Sequence, residues 1–269
     1  MNVSAITSCY LGPHISPEQF VAEHFFLYLI NGTIDYYDGS NHHLLQAGQC
    51  SLVRKNHLVK YTKHKANNQF EKVVVVFDES FLKAYQAKHP VLLTNYCAND
   101  AYYIIQPNEL IPNFLRSLEP YYTGEGRINP TFADLKREEL LLILLQSNPD
   151  LATILFDFSD PQKIDLEAYM NRNFRFNVSV ERFAYLTGRS LSAFKRDFER
   201  IFHDTPSRWL VRKRLEEAYF LIGNKAEKPT DIYLDLGFED LSHFSFAFRK
   251  QFGLSPTQLA ERRQALAVH

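Results

Sequence analysis

The sequence has no uninterrupted apolar run of about 18 residues, the length a membrane-spanning helix needs, so no spanning segment is expected. Met1–Leu11 lacks a basic start followed by an apolar stretch, and no secretion leader is expected. Cysteine is scarce. Cys9, Cys50 and Cys97 are odd in number and far apart, which fits neither a disulfide framework nor a metal knuckle. Reduced thiols in a cytoplasm are the expectation. There is no glycine-rich phosphate loop and no Gly-x-Ser-x-Gly elbow, the devices of nucleotide hydrolysis and serine-nucleophile chemistry.

What is present is ordinary for a globular chain: 45% hydrophobic and 23% charged residues over 269 positions, enough for one large domain or two ordinary ones. The net charge of −1 hides an asymmetry. From Gln162 to His269 there are 18 Lys and Arg against 14 Asp and Glu, whereas Met1–Pro161 has 12 against 17. A basic C-terminal part on a nearly neutral chain points to a polyanionic partner for that part.

Along the chain, the first ~80 residues read as short strands. Ala22–Asn31 is strongly apolar and ends at Gly32; Thr33–Tyr37 is β-branched and aromatic, and Asp38-Gly39 is a turn signal. Cys50–Arg54, Leu58–Thr62 and Lys72–Phe77 follow, with turns marked by Gly48 and Asn67-Asn68. A barrel or sandwich is expected. Helices are predicted over Glu79–Lys88, over Glu109–Tyr122 with Leu110, Phe114, Leu115 and Leu118 on one side, and over Phe132–Gln146 after an Asn129-Pro130-Thr131 start. Leu140–Leu145 is apolar all round, which suits burial on several sides or packing against a second copy. Leu151–Phe158 reads as one more short helix and Ser159-Asp160-Pro161 as a linker.

Beyond the linker lies an internal repeat of about 50 residues. Gly188 is followed by Phe194, Phe198, Phe202 and Pro206 at offsets 6, 10, 14 and 18, and Gly237 by Phe244, Phe248, Phe252 and Pro256 at offsets 7, 11, 15 and 19. Phenylalanines four apart share one helix face, so each ladder is a helix with an aromatic buried side. Each glycine suits a tight turn at positive φ. A short helix precedes each glycine: Val180–Leu186, capped by Ser179, and a second with Ile232 and Leu236 inward, capped by Thr230 or Asp231. Short helix, glycine turn and amphipathic helix make a helix-turn-helix module. Pro206–Ile222 joins the two copies, and at ~1.5 Å per residue it spans about 25 Å, a length suited to modules roughly one DNA turn, ~34 Å, apart.

Off the aromatic stripe lie Ser192, Lys195, Arg196 and Glu199 in the first ladder, and Ser242, Ser245, Phe246 and Arg249 in the second. Lys195 and Arg196 match guanine O6 and N7, serines serve bases or phosphates, and Phe246 suits a thymine methyl. Arg208, Arg212 and Lys213 are phosphate candidates.

The stretch Ser179–Gln258 resembles the DNA-binding domain of AraC-type transcription regulators. The resemblance rests on Ser179–Ala184, Gly188–Phe198, Arg214-Leu215 with Ala218, Gly237–Phe244, Phe248–Gly253 and Ser255-Pro256. More distantly, the N-terminal half, with its Ala22–Asn31 strand and Glu138–Leu145 helix, resembles the branch that includes type III secretion activators. The resemblance implies an α+β chain. A cupin-like β-barrel with helices fills residues 1–160 and serves regulation or dimerisation; an all-α domain of two helix-turn-helix modules fills 161–269. It implies sequence-specific binding of double-stranded DNA to control transcription, more often by activation, with RNA polymerase as a partner. It places base-reading faces on Ser192, Ala193, Lys195 and Arg196, and on Leu241, Ser242, Ser245 and Phe246. It also implies a small-molecule or protein effector, or a homodimer contact, at the N-terminal domain. Two positions depart from the family: Tyr233 stands where a small alanine is usual, and Phe246 where many relatives carry a basic or polar residue. The first module is therefore expected to do most of the sequence reading.

The alternative is a cupin-type metal enzyme with an accessory DNA-binding domain. Such enzymes carry a His-x-His pair, a nearby Glu and a later His. Here His42 and His43 are adjacent at a turn, His57 and His64 follow, and no Glu stands at a suitable spacing, so neither metal nor cofactor is expected. A DNA-repair protein would need an activated cysteine, and none of the three sits in a reactive motif. A pure protein-interaction module would lack steep salt dependence with DNA. For the barrel interior, a ligand cavity and filling by Phe25, Phe26, Tyr28, Tyr36 and Tyr37 both stand open.

Overall fold

The computed structural model describes residues 6–9, 19–94, 100–106, 109–123 and 126–267. Cys97, and all of segment 1–11 apart from Ile6–Cys9, lie outside them. The chain divides into two compact units, Met1–Ser159 and Asp160–His269.

Among its described residues the first unit holds ten strands: β1 (Ile6–Cys9), β2 (Phe20–Val21), β3 (His24–Asn31), β4 (Thr33–Tyr37), β5 (His42–Gln46), β6 (Cys50–Val53), β7 (His57–Leu58), β8 (Lys60–His64), β9 (Glu71–Phe77) and β10 (Tyr102–Ile105). They pair antiparallel into three open sheets among the described residues, ordered β1-β9-β3-β6-β10, β5-β4-β8 and β2-β7. The near-continuous apolar character of β3 has a direct cause, because its sheet is buried on both faces. Phe26, with Leu52, Val75 and Phe77, packs toward the helices, whereas Leu27 and Leu29, with Val53, pack against Ile34, Tyr36 and Leu45 of the three-stranded sheet. The chain turns from one sheet to the other at Gly32, where φ is +95° and a Cβ would lie 2.6 Å from the His64 carbonyl oxygen. No side chain fits that corner.

The interior between these sheets contains some of the aromatic side chains offered by the sequence. Tyr36 is fully buried, its ring centroid 4.9 Å from Tyr61 and 4.4 Å from Tyr102, and its hydroxyl lies 3.4 Å from Ser51 Oγ.

The other face is covered by helices α1 (Glu79–Lys88), α2 (Leu110–Leu118), α3 (Pro130–Ser147) and α4 (Leu151–Leu155). Asp78 caps α1 by accepting from the Phe81 N–H, and Asn129 caps α3 by accepting from the Thr131 N–H. In α2 the buried stripe is Ile111, Phe114 and Leu118, and Leu110 is exposed. This corrects the expected face, since the helix is rotated by about one residue to bring Ile111 onto the core. The apolar run of α3 buries Leu140, Leu141, Ile143 and Leu144 but leaves Leu142, with Leu135 one heptad earlier, open to solvent.

The second unit is all helical: α5 (Leu166–Asn173), α6 (Val180–Leu186), α7 (Leu191–Phe202), α8 (Pro206–Lys225), α9 (Pro229–Ile232), α10 (Leu241–Phe252) and α11 (Pro256–Ala267). Pro206, Pro229 and Pro256 each open a helix, where their missing N–H and fixed φ do no harm. α8, 20 residues long, spans about 30 Å and packs against α7, α9, α10 and α11. The helix before the second glycine is a single turn that starts earlier than expected. Pro229 sets its first residue, its N-cap position is Lys228, and the Thr230 hydroxyl bonds the Asp231 carboxylate rather than capping.

Candidate nucleic-acid interface

Each of the two ladder helices is 12 residues long and carries a side-chain cap. Ser190 accepts from the Ala193 N–H at 3.3 Å, and Asp240 accepts from the Ser242 and His243 N–H groups at 2.6 and 3.1 Å. The caps start the helices and satisfy donors that the first turn leaves free. Both helices are anchored through their phenylalanines, and Phe194, Phe198, Phe244 and Phe248 are fully buried.

α8 closes both modules with aromatic rings. Trp209 lies 5.6 Å from Phe198 and 4.6 Å from Phe202, and Tyr219 lies 6.2 Å from Phe248 and 4.8 Å from Phe252, centroid to centroid. Trp209 and Tyr219 are ten residues apart on one helix. At 3.6 residues per turn they sit about 15 Å apart along the axis and roughly 80° apart around it. The two anchor points are thus on neighbouring sides of the connecting helix, not opposite ones.

The glycine turns are tight. Gly188 has φ +64°, and a Cβ there would run into the backbone of Gln162 and Lys163; Gly237 has φ +82° and faces Arg175 O and the Arg214 guanidinium. Arg214 is buried on α8 and donates to the carbonyls of Phe174 and Phe176, each at 2.7 Å, and of Gly237 at 2.9 Å. Burial lowers its pKa to about 10, so it remains charged at neutral pH.

Opposite the buried phenylalanines, α7 exposes Ser192, Lys195, Arg196 and Glu199, with Ala193 half-buried at its edge. α10 exposes Leu241, Ser242, Phe246 and Arg249, with Ser245 half-buried. Arg208 is exposed on the first turn of α8. Arg212, a phosphate candidate from the sequence, lies 3.4 Å from Asp204, and Lys213 sits 6.0 Å over the Phe174 ring.

Sequence reasoning passed over the cluster about Asp197. This carboxylate accepts from Arg189 Nε at 3.2 Å and has Arg196 and Arg200 Nη2 at 3.9 Å and Lys163 at 4.0 Å. The Arg189 hydrogen bond, with the surrounding positive charges, holds the Asp197 carboxyl below the usual carboxylate range. Arg189 also donates to the carbonyls of Thr187 and Ile164, tying the glycine turn to the segment before α5. The signal was legible: Asp197 falls beside Phe194 and Phe198 on the inward side of α7, where an acid needs a cation.

The four histidines weighed as metal ligands go separate ways. His42 Nδ1 lies 2.9 Å from Asp35 and His43 Nε2 3.6 Å from Asp38; His57 Nδ1 lies 2.8 Å from the Lys55 carbonyl, and His64 ends β8. Among the described residues no group of three or more His, Cys, Asp or Glu is placed to hold a metal ion. No helix of the described chain is long and apolar enough to cross a membrane.

Comparison with known proteins places both units. Residues 24–154 match the family model of the ExsA N-terminal regulatory domain, and residues 183–262 match that of a helix-turn-helix domain. The HTH-type transcriptional regulator ExsA of Pseudomonas aeruginosa is 24% identical over 94% of this chain and 91% of its own length. The virulence regulon transcriptional activator VirF of Yersinia enterocolitica is 29% identical over 46% of each chain, so this chain matches about half of that relative. Among solved structures, apo ToxT from Vibrio cholerae aligns over 95% of this chain and 96% of that one at 12% identity, with a TM-score of 0.44. With capped aromatic-backed helices in both modules and a match to the ExsA N-terminal regulatory domain ahead of them, the chain is built as an AraC-type transcription regulator.

Proposed function

We propose that the protein activates transcription in the cytoplasm by setting α7 and α10 into successive major grooves of a promoter and recruiting RNA polymerase there. It acts as a binding protein and not as an enzyme. Lys195 and Arg196 read guanine edges, with Ser192, Ala193, Leu241, Ser242, Ser245, Phe246 and Arg249 completing the two surfaces, and Arg208 holds a phosphate. The observation that carries this reading is on α7, where the same helix that buries Phe194 and Phe198 completely leaves the Arg196 side chain 79% exposed. A long cation held off a rigid aromatic anchor is arranged for a polyanion.

The N-terminal unit, residues 1–160, serves as the regulatory part. Its exposed Leu135 and Leu142 on α3 suit a contact between two copies or with a protein effector.

The test is a binding titration of the intact protein on promoter fragments and on random duplex at two salt concentrations. Steep salt dependence and a preference for promoter DNA are expected. Arg196→Ala should cost about 1–3 kcal/mol on the preferred site and relax specificity. Equal discrimination by the variant and the wild type would refute the assigned role of Arg196.

A further inference from the structure

Counted from their caps, Ser190 and Asp240, the helices α7 and α10 correspond residue for residue. Ser192 corresponds to Ser242, Lys195 to Ser245, Arg196 to Phe246 and Glu199 to Arg249. The two positions that carry cations in the first module thus carry a hydroxyl and an aromatic ring in the second. Phe246 is 69% exposed, whereas Phe244 and Phe248 of the same helix are fully buried. It takes no part in anchoring α10, and its ring stands where α7 presents its arginine. Leu241–Phe252 contains no acidic residue and carries Arg249 and Lys250, both exposed, so the ring stands on a positive face.

A phenyl ring has no donor or acceptor. Set against guanine it would cover O6 and N7 without replacing their water, which is unfavourable. The apolar feature that the major groove does offer is the 5-methyl group of thymine. We propose that α10 selects thymine through contact of the Phe246 ring with thymine methyl groups, while α7 selects guanine through Arg196 at the corresponding position. The two modules then read opposite base chemistries from one shared frame. This inference rests on the reading of both helices as base readers.

The experiment selects preferred sites for the intact protein from a pool of random duplexes. It then measures affinity for the selected duplex with each thymine replaced in turn by deoxyuridine, which lacks only the methyl group. The expected result is a motif with a guanine-containing block and a thymine-containing block about one helical turn away. Uracil in the second block should weaken binding about fourfold per contacted methyl. Phe246→Ala should abolish that sensitivity and spare the guanine block; Phe246→Arg should shift the second block toward guanine. Because the ring is exposed, an unchanged thermal unfolding curve checks that both variants fold.

If the wild type enriches no sequence, the DNA-reading assignment fails and the inference fails with it. If a two-block motif emerges but uracil is tolerated throughout, or Phe246→Ala keeps the uracil sensitivity, the inference alone is overturned. If Phe246→Ala leaves DNA binding and uracil sensitivity intact but lowers transcription from the promoter, the ring faces a protein, which also overturns it.

Discussion

The guanidinium of Arg214 donates to the Gly237 carbonyl at 2.9 Å, and it also occupies the space into which a side chain at 237 would grow. One buried cation thus ties α8 to the turn before α10 and, through Phe174 and Phe176, to the end of α5. Gly237→Ala would put a Cβ 2.7 Å from Arg175 O and 2.9 Å from Arg214 Cζ at a φ of +82°. The expected loss is about 1–3 kcal/mol. The protein has one tryptophan, Trp209, which lies in the second unit, so urea unfolding followed by its fluorescence reads that unit directly. A midpoint equal to wild type would show that Arg214 yields its place without loss.

Arg214 also marks where sequence reading stops. Leu210, Arg214, Ala218 and Ile222 stand four apart on α8, and all are buried. The apolar positions of that stripe were legible; the burial of Arg214 among them was not. Its partners are backbone carbonyls distant in sequence, which leave no mark on residue identity. The phenylalanine ladders were fully legible because four-residue spacing has one meaning for a helix. The face of α2 was not. Leu110 with Phe114 and Ile111 with Leu118 form overlapping apolar stripes, and the choice between them belongs to tertiary packing. The start of α9 was misjudged because Pro229 outweighs Thr230 and Asp231 in setting a first turn. Base-facing residues were legible only as exposed positions; their partners are on another molecule.

Arg208, exposed at the start of α8, tests the division between positioning and reading. Arg208→Ala is expected to weaken binding to preferred and random duplex by similar factors and to reduce the salt slope by about 1. Arg196→Ala should instead lower the ratio between the two. Titration of both variants over a salt series separates the roles. An Arg208 variant that loses affinity on the preferred site alone would make it a reader.

Leu135 and Leu142 are 65% and 43% exposed on α3, seven residues apart and so on one side of the helix. If two copies meet through this side, replacing Leu142 with Glu should shift the protein toward monomer, because each copy then buries a carboxylate without a partner. Sedimentation over a concentration range reads the effect. An exposed site tolerates the change, so the monomer should unfold at an unaltered urea concentration. Identical mass distributions for variant and wild type would remove α3 as the contact.

His24, buried at the start of β3, accepts the Lys55 N–H on Nδ1 at 3.2 Å. Burial foremost, then the charges of Lys55 and Arg54, push its pKa down to about 3. An unfolded histidine titrates near 6.5. Between these values the unfolded chain holds the extra proton, so stability rises with pH: it is complete above about 6.5 and falls toward 3, by about 1.4 kcal/mol per pH unit. Asp78 and Asp157 sit below the usual carboxylate range, so their contribution is lost only at lower pH. Glu23, whose carboxyl burial holds above the usual range, opposes His24 over part of the interval from about pH 6.5 to 4.5, so the comparison with a variant at 24 assigns the decline. Urea unfolding with hydrogen exchange at β3 amides should show a declining midpoint across that interval. His24→Gln keeps an acceptor but binds no proton, and should flatten the decline. A slope unchanged by that substitution would assign the acid sensitivity of this unit to another group.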